Sequence, residues 1–374
     1  MSKGWKTVKM EVICEMYQPK TISQEEMMSD GEYPVFGANG IIGRYNKYNH
    51  EEPQLLVTCR GATCGTINIS EPFSWITGNS MVVLPKNKDE ISFEYLSLYL
   101  RQKNIMSTVI TGAAQPQITR SNLKELRISY PRDTTTQFQI AATLGKTSEL
   151  IALRKKQLEE LDALAESVFY DMFGDPVKNE KRWKEGHLGE VCSSVNYGTS
   201  SPANEGGKYK YLRMNNITYQ GDLDLTNLKY IDISDKNYEK YVVRKGDILF
   251  NRTNSKELVG KTTYIQGGEE AIIAGYIIRV RLNSTMLPVF VSKYMNTKFI
   301  KLYLRGLCKS IIGQANINAK ELQSIPMYFP PLPLQTQFAA IIEKIESQKA
   351  LAKQALQESE DLFQRLMQDL FKPD

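Results

Sequence analysis

Histidine is almost missing from the 374 residues: only His50 and His187 occur. A His-centred triad or an imidazole-rich metal site therefore has almost no material. The five cysteines are odd in number and show no framework spacing, which excludes a disulfide scaffold and fits a reducing, cytoplasmic setting. No run of 18 apolar residues is present, so no helical membrane span and no membrane partner are expected. The opening stretch MSKGWKTVKMEVICEMYQPK lacks an apolar signal core. Nucleotide motifs are missing too. There is no Walker A loop, and Gly37-Ala38-Asn39-Gly40-Ile41-Ile42-Gly43 places its glycines three apart, unlike a dinucleotide fingerprint; a turn needing positive φ is the simpler reading. The Asn/Asp-Pro-Pro-aromatic signature of an amino-methyltransferase does not occur. Cys59 and Cys64 make one pair where structural zinc needs four ligands, so they read as buried thiols. His50, within Tyr48-Asn49-His50-Glu51, has no identifiable partner as a general base and reads as a surface histidine. No catalytic residue, metal site or cofactor is expected in this chain.

What is present is ordinary in bulk and unusual in order. Hydrophobic residues make up 41% and charged residues 24%, enough for two or three domains with their own cores. The net charge of +5 is unevenly spread. Residues 174–334 carry 23 basic and 15 acidic side chains, net +8, whereas 137–173 and 335–374 are each net −2 and 1–136 is net +1. A basic segment points to a polyanionic partner.

The chain repeats itself once, over a period far too long for a solenoid. Trp5-Lys6 followed by Glu11-Val12 returns as Trp183-Lys184 followed by Glu190-Val191. Gln117-Ile118-Thr119 with Leu123 returns as Asn316-Ile317-Asn318 with Leu322, and Tyr95 returns as Tyr294. Each copy then reaches a proline after an aromatic (Tyr130-Pro131, Phe329-Pro330), and Gln137-Phe138 is matched to Gln337-Phe338. Each copy ends in a heptad frame. Leu144, Ile151, Leu158, Ala165 and Met172, interleaved with Thr147, Arg154, Leu161 and Val168, recur 198 residues later. There they are Ile342, Lys349, Leu356, Phe363 and Leu370, interleaved with Ile345, Ala352, Ser359 and Leu366. Two matched stripes favour two long helices that pair with each other; a helix buried inside each domain is the competing reading. Arg154, Lys349 and Ser359 interrupt the stripe and fit register-setting or a further partner. Gly174-Asp175-Pro176 stops the first helix, and Pro373 follows the second. The expected domains are 1–136, a helix 137–173, a second domain 174–334 and a helix 335–374. Residues 55–58, 65–69, 80–84 and 271–282 read as strands, and 92–106 and 290–308 as helices. The runs 129–136 and 328–334 read as boundaries between the parts.

Two polar loops follow strands at comparable places. Thr58-Cys59-Arg60-Gly61-Ala62-Thr63-Cys64-Gly65 offers Arg60 and Thr63; Asn251-Arg252-Thr253-Asn254-Ser255-Lys256 offers Asn251, Arg252, Asn254, Ser255 and Lys256. Arginine suits guanine edges and phosphates, and amides and hydroxyls suit either. Arg44 with Lys47, and Arg213 with Asn215 and Asn216, are secondary candidates. Lys298, Lys301 and Arg305 fall at helical spacing and could track a phosphate backbone. Solvated loops and a solvated helix face are the bland alternatives.

Almost the whole chain resembles the specificity (S) subunit of Type I restriction–modification systems. The resemblance rests on Tyr33-Pro34-Val35-Phe36-Gly37-Ala38-Asn39-Gly40, on Lys245-Gly246-Asp247-Ile248-Leu249 with Arg252, and on Pro116-Gln117-Ile118 and Ala315-Asn316-Ile317-Asn318. It rests also on Pro330-Pro331-Leu332-Pro333 with Gln337. The first copy departs from the pattern: it has Tyr130-Pro131-Arg132-Asp133 in place of a second proline, and no Gly-Asp. The resemblance implies an α+β fold. Two mixed α/β target recognition domains would stand in a duplicated, pseudo-two-fold arrangement, separated by two long antiparallel coiled-coil helices. It implies a non-catalytic subunit that reads a bipartite target in double-stranded DNA. Two methyltransferase subunits using S-adenosylmethionine, and restriction/translocase subunits using ATP and Mg, would be its partners. A coiled-coil scaffold without DNA binding, a specificity protein of a related phage-defence system, and a fused restriction–modification enzyme are the alternatives; the last would need methyltransferase motifs that are absent.

Overall fold

A computed structural model describes residues 4–112, 115–268, 270–307 and 315–372. Pro373 and residue 308, which figure in the expectations above, lie outside the described residues. The chain forms two compact units, Met1–Arg154 with Ala355–Asp374, and Lys155–Gln354.

The first unit opens with β1 (Trp5–Lys9), the short helix α1 (Met10–Ile13) and β2 (Cys14–Tyr17). Then come β3 (Tyr33–Gly37), β4 (Gly40–Tyr45), β5 (Leu55–Thr58), β6 (Ile67–Ile69), β7 (Trp75–Ile76) and β8 (Ser80–Pro85). Strand β5 is a continuous apolar run because both its faces are covered. It lies inside a four-stranded sheet of order β2-β8-β5-β6, and a second sheet has order β4-β3-β7 with β3 and β7 parallel. Helices α2 (Phe93–Leu100), α3 (Lys103–Ser107) and α4 (Arg120–Glu125) follow. Ser92 caps α2 by accepting from the Tyr95 amide, and Thr119 caps α4 through Asn122. The expected single helix over 92–106 is thus broken at residues 101–102. Strand β9 (Arg127–Pro131) returns to pair antiparallel with β1 and runs into the long helix α5 (Thr134–Phe173).

The second unit repeats this plan. Strands β10 (Lys184–His187), β11 (Cys192–Tyr197), β12 (Tyr209–Leu212) and β13 (Lys229–Ile231) precede helix α6 (Asp235–Tyr241). Next are β14 (Val242–Val243), β15 (Ile248–Asn251), β16 (Thr253–Asn254), β17 (Thr262–Tyr264), β18 (Ala271–Ile273) and β19 (Ile277–Leu282). The sheet order β11-β19-β15-β17 matches that of the first unit strand for strand, and β12 and β18 are again a parallel pair. The expected strand over 271–282 is therefore two strands in two sheets. Ala274-Gly275-Tyr276 turns the chain between them, closed by the Ile277 amide on the Ala274 carbonyl. Helices α7 (Pro288–Met295) and α8 (Lys298–Leu307) replace the single helix expected over 290–308. Strand β20 (Ala315–Asn316), helix α9 (Ala319–Gln323) and β21 (Pro326–Phe329) follow, and β21 pairs antiparallel with β10. The runs expected to be boundaries are therefore the closing strands β9 and β21 leading straight into helices. The second of these is α10 (Leu332–Asp369).

Both long helices bury the stripe that the heptads mark. In the first unit Ile140 and Leu144 of α5 share a core with Met367 and Phe371, flanked by Phe363, Leu366 and Leu370. The Phe371 ring meets Tyr95 and Tyr99 edge-on at 5.2 and 5.5 Å. In the second unit Leu161, Ala165, Phe169 and Phe173 pack with Phe338, Ile342 and Ile345, the rings of Phe173 and Phe338 lying 5.1 Å apart. The start of α5 meets the end of α10, and the end of α5 meets the start of α10, so the helices pair antiparallel. Ile151, Val168, Leu158 and Leu356 are half-buried along the same stripe. Each fully buried Leu, Ile or Phe contributes roughly 1.5–3 kcal/mol.

The repeat needs one correction. Phe138 is exposed whereas Phe338 is buried, so Gln137 and Gln337 are not equivalent. The equivalent of Gln137 is Gln335. Both are fully buried. Gln137 Oε1 accepts from the Ser92 amide while its Nε2 donates to the Glu90 and Pro131 carbonyls. Gln335 Oε1 accepts from the Leu287 amide while its Nε2 donates to the Thr285 and Pro330 carbonyls. Likewise Tyr95 and Tyr294 each donate a hydroxyl to a carbonyl of the closing strand, Ser129 and Pro326.

Candidate nucleic-acid interface

The two candidate loops occupy the same place in the two units. Each leaves the inner strand of the four-stranded sheet, β5 or β15, and returns as the edge strand, β6 or β17. The closure is the same in both. The Thr58 amide donates to Thr66 and the Gly65 amide to Thr58; the Asn251 amide donates to Lys261 and the Gly260 amide to Asn251. Gly65 and Gly260 hold φ of +88° and +85°, a region costly for other residues. A late segment pins each loop from outside. The Ile118 amide donates to the Cys59 carbonyl and the Ile317 amide to the Arg252 carbonyl. Gln117 bridges Arg60, as Asn316 pairs with Thr253.

In the first unit this leaves Arg60 and Thr63 exposed on a fixed loop. Arg44 and Lys47 are also exposed but are not gathered there. Arg44 pairs with Pro34, at the end of the β3–β4 hairpin away from its turn, and its guanidinium donates to the carbonyls of Gly31 and Glu32.

In the second unit the loop divides its residues between two tasks. Asn251 is fully buried: its Nδ2 donates to the Thr253 and Tyr276 carbonyls and its Oδ1 accepts from Asn254 Nδ2. Asn254 Oδ1 in turn accepts from the Ser255 amide. Asn251 therefore builds the loop, and Asn254 is largely spent in the same way. Asn216 is held in a similar way. It is buried, accepts from the Arg213 amide and donates to the Asp224 carbonyl, closing a turn. Arg213 gives one nitrogen to the Asn227 carbonyl, and Asn215 is exposed. Lys261 Nζ, donating to the Met214 carbonyl, ties this turn to the loop. Ser255 is half-buried and Lys256 exposed. Arg252 is the distinctive group: its guanidinium lies 4.9 Å from the Tyr197 ring centroid, and its Nε is buried without a hydrogen-bond partner. A guanidinium steered by an aromatic face keeps its outer nitrogens in a fixed plane, as bidentate recognition requires.

Tyr197 and Tyr276 escaped the sequence reading. Both are exposed, and the Arg252 amide donates to the Tyr276 carbonyl while Tyr197 Oη accepts from the Ala319 amide. Their signal is a tyrosine beside a glycine at a strand end, Tyr197-Gly198 and Gly275-Tyr276.

Of the α8 candidates Lys298 is exposed, whereas Lys301 and Arg305 turn toward Tyr219. Lys301 Nζ donates to the Tyr219 carbonyl and sits 3.7 Å above the Tyr219 ring; burial pushes its ammonium down to about 8. Arg305 contacts the Tyr219 hydroxyl. His50 is half-buried, with Nε2 2.8 Å from Tyr17 Oη, and burial lowers its pKa. Burial pushes the Cys59 thiol up to about 11, which suits a core residue. Among the described residues no group of three or more His, Cys, Asp or Glu could hold a metal ion, and no helix is long and apolar enough to cross a membrane.

Known proteins share this plan. The family described as Type I restriction modification DNA specificity domain matches residues 2–163 and 180–360. The EcoKI specificity subunit of Escherichia coli is 21% identical over 351 residues, covering 88% of this chain and 71% of that protein. A putative MjaX specificity subunit of Methanocaldococcus jannaschii is 27% identical over 169 residues, 44% of this chain and 40% of that protein. The crystal structure of the S subunit of a Type I restriction–modification system from M. genitalium superposes with a TM-score of 0.65 at 17% identity, over 99% of this chain and 96% of the other. A duplicated β unit, paired long helices and a family match across both halves lead to one assignment: the chain belongs to the Type I restriction–modification DNA specificity subunits.

Proposed function

We propose that the chain is the non-catalytic, sequence-reading subunit of a cytoplasmic Type I restriction–modification complex. Each unit reads one half of a split target in double-stranded DNA. Two methyltransferase subunits and the restriction/translocase subunits are directed to that target and carry S-adenosylmethionine, ATP and Mg. The observation that carries this reading is the doubled loop: the same closure, on the same strand of the same sheet, presents Arg60 in one unit and Arg252 in the other. Phosphate contacts supply affinity and a few side chains on base edges supply specificity, each correct base pair contributing roughly 1–3 kcal/mol. The net +8 of residues 174–334 favours this over a scaffold that binds no DNA.

The test is to assemble the chain with its modification subunits and map methylated adenines across a genome. A motif of two fixed half-sites and a gap is expected. A complex that methylates without a split motif, or binds all duplexes alike, refutes the reading. The chain alone, incubated with DNA and S-adenosylmethionine, should transfer no methyl group above a protein-free control.

A further inference from the structure

The β3–β4 hairpin of the first unit exposes two β-branched residues in succession, Ile41 at 52% and Ile42 at 50%. Regular alternation would turn one of any two neighbours inward. A β-bulge defeats it: Val35 pairs with Gly43 but Phe36 pairs with Ile41, leaving Ile42 as the extra residue. The pair is held in place. Gly40, at φ +110°, makes the turn just before it. Gly37 forms a floor beneath Ile42, where an added Cβ would come within 2.6 Å of Ile42 Cγ2. Ser80 Oγ donates to the Gly37 carbonyl and Thr58 Oγ1 donates to the Ala38 carbonyl, which anchors the turn on the four-stranded sheet. Thr58 ends β5, and Arg60 follows two residues later. The apolar tip therefore stands beside the exposed cationic loop of the same unit.

The major-groove edge of duplex DNA has one apolar feature, the 5-methyl group of thymine, set among hydrogen-bonding atoms and flanked by phosphates. A fixed apolar tip next to an arginine loop matches that mixture. We propose that Ile41 and Ile42 form an apolar reader that contacts the thymine methyl of one A·T pair in the half-site read by the first unit. This rests on the reading that the unit binds duplex DNA in a sequence-specific way.

The experiment uses the chain assembled with its modification subunits, and duplexes carrying the methylated motif found for that complex. Each thymine of the motif is replaced in turn by deoxyuridine, which removes only the methyl group, and affinity is measured by competition. One thymine of the first half-site should lose about fourfold in affinity, the worth of one buried methyl group. Ile41→Ser should bind the thymine duplex about fourfold more weakly and no longer distinguish thymine from uracil there. Ile42→Val, which keeps the Gly37 contact, should retain the distinction. Discrimination of uracil at no position of that half-site, or undiminished discrimination by Ile41→Ser, overturns the proposal. So does an Ile41→Ser chain that keeps its DNA preference but no longer assembles with the modification subunits, since the tip would then be a protein contact. If the unaltered complex shows no preference for its motif at all, the DNA-reading function fails instead, and the two failures are distinguishable.

Discussion

Replacing Lys349 by methionine tests whether the paired helices are held in register by charge as well as by apolar packing. Lys349 occupies a core position of the α10 heptad yet is only 2% exposed. Its Nζ lies 2.6 Å from Asp162 on α5, 3.1 Å from Asp222 in the loop after the 214–216 turn, and 3.5 Å from Glu346. Stripping one partner from a buried pair costs roughly 3–5 kcal/mol when the other ion is stranded. Here no carboxylate is stranded. Asp222 keeps Lys353 at 3.0 Å, Glu346 keeps Lys293 at 3.1 Å, and Asp162 is 38% exposed and can rehydrate. The expected loss for Lys349→Met is therefore lower, about 2 kcal/mol. In a unit of this size that lowers the thermal midpoint by roughly 4–8 °C. Circular dichroism melts of Lys349→Met, Asp222→Asn and the double variant complete a cycle, with a coupling of about 1 kcal/mol expected between contacting residues. Acid should expose the same cluster. Burial alone would raise the Asp222 carboxyl, but Lys349 and Lys353 more than offset it and hold the pKa below the ordinary aspartate value. A depressed carboxyl stabilises the fold above the unfolded pKa of about 3.9 and loses that contribution as the pH falls through the folded value. The urea midpoint of the wild type should thus fall below about pH 4 more steeply than that of Lys349→Met. A variant as stable as the wild type, with an unchanged acid limb, would refute the argument and leave this layer to apolar packing alone.

Gln137→Leu and Gln335→Leu should each cost about 2–3 kcal/mol, because each removes three hydrogen bonds to main-chain groups, of which the Pro131 and Pro330 carbonyls are buried; chemical denaturation of the two single variants measures this. Asn251→Ala should destabilise the second unit by about 2 kcal/mol through its lost loop bonds, whereas Arg252→Ala should leave the melt unchanged and relax base preference at one position of one half-site. Lys256→Ala should weaken binding evenly across sequences and flatten the salt dependence; a base-specific effect instead would place Lys256 in a groove. Removing 148–154 together with 353–359 deletes one heptad from each helix and shortens the spacer by roughly 10 Å. The half-sites read by methylome sequencing should keep their bases while the gap shrinks by up to about three base pairs, and an active complex with an unchanged gap would remove the helices as a ruler.

Periodicity was the most legible part of the sequence because a pairing helix must bury every seventh residue whatever that residue is. Leu144, Leu161, Ile342 and Ile345 lie where the frame places them, and so do two of the three residues that look wrong for it, while Arg154 is half-buried. Lys349 is satisfied by carboxylates, and Ser359 returns its hydroxyl to the Ala355 carbonyl of its own helix. The frame could not reveal that Lys349 answers to Asp222, 127 positions earlier, because ion pairing leaves no period. The match of Gln137 to Gln337 failed for a local reason. Gln137 lies six positions after Pro131 but Gln335 lies five after Pro330, and only the shared hydrogen bonds reveal the true equivalence. The candidate loops were found because both follow apolar strands, but composition cannot separate a side chain that folds back on its loop from one that faces outward. Asn251, Asn254 and Asn216 fold back; Arg60 and Lys256 face outward. The split of 271–282 was hidden because both strands are apolar, and only the weak signal of Gly275 marks the turn.

The core of the first unit is closed by side chains far apart in the sequence: Leu144 and Tyr95 on one side, Met367 and Phe371 on the other. The second unit draws on one uninterrupted stretch, Lys155–Gln354. A ribosome extending the chain at about 5–20 residues per second would release the material of the second unit while the first still waits, roughly 10–45 s after Leu144 is made, for its final aromatic. During that interval the rings of Tyr95 and Tyr99 lack the partner that covers them in the finished protein. The order of completion thus reverses the order of synthesis. Damage to Met367 or Phe371 would be felt as instability in the domain that is made first.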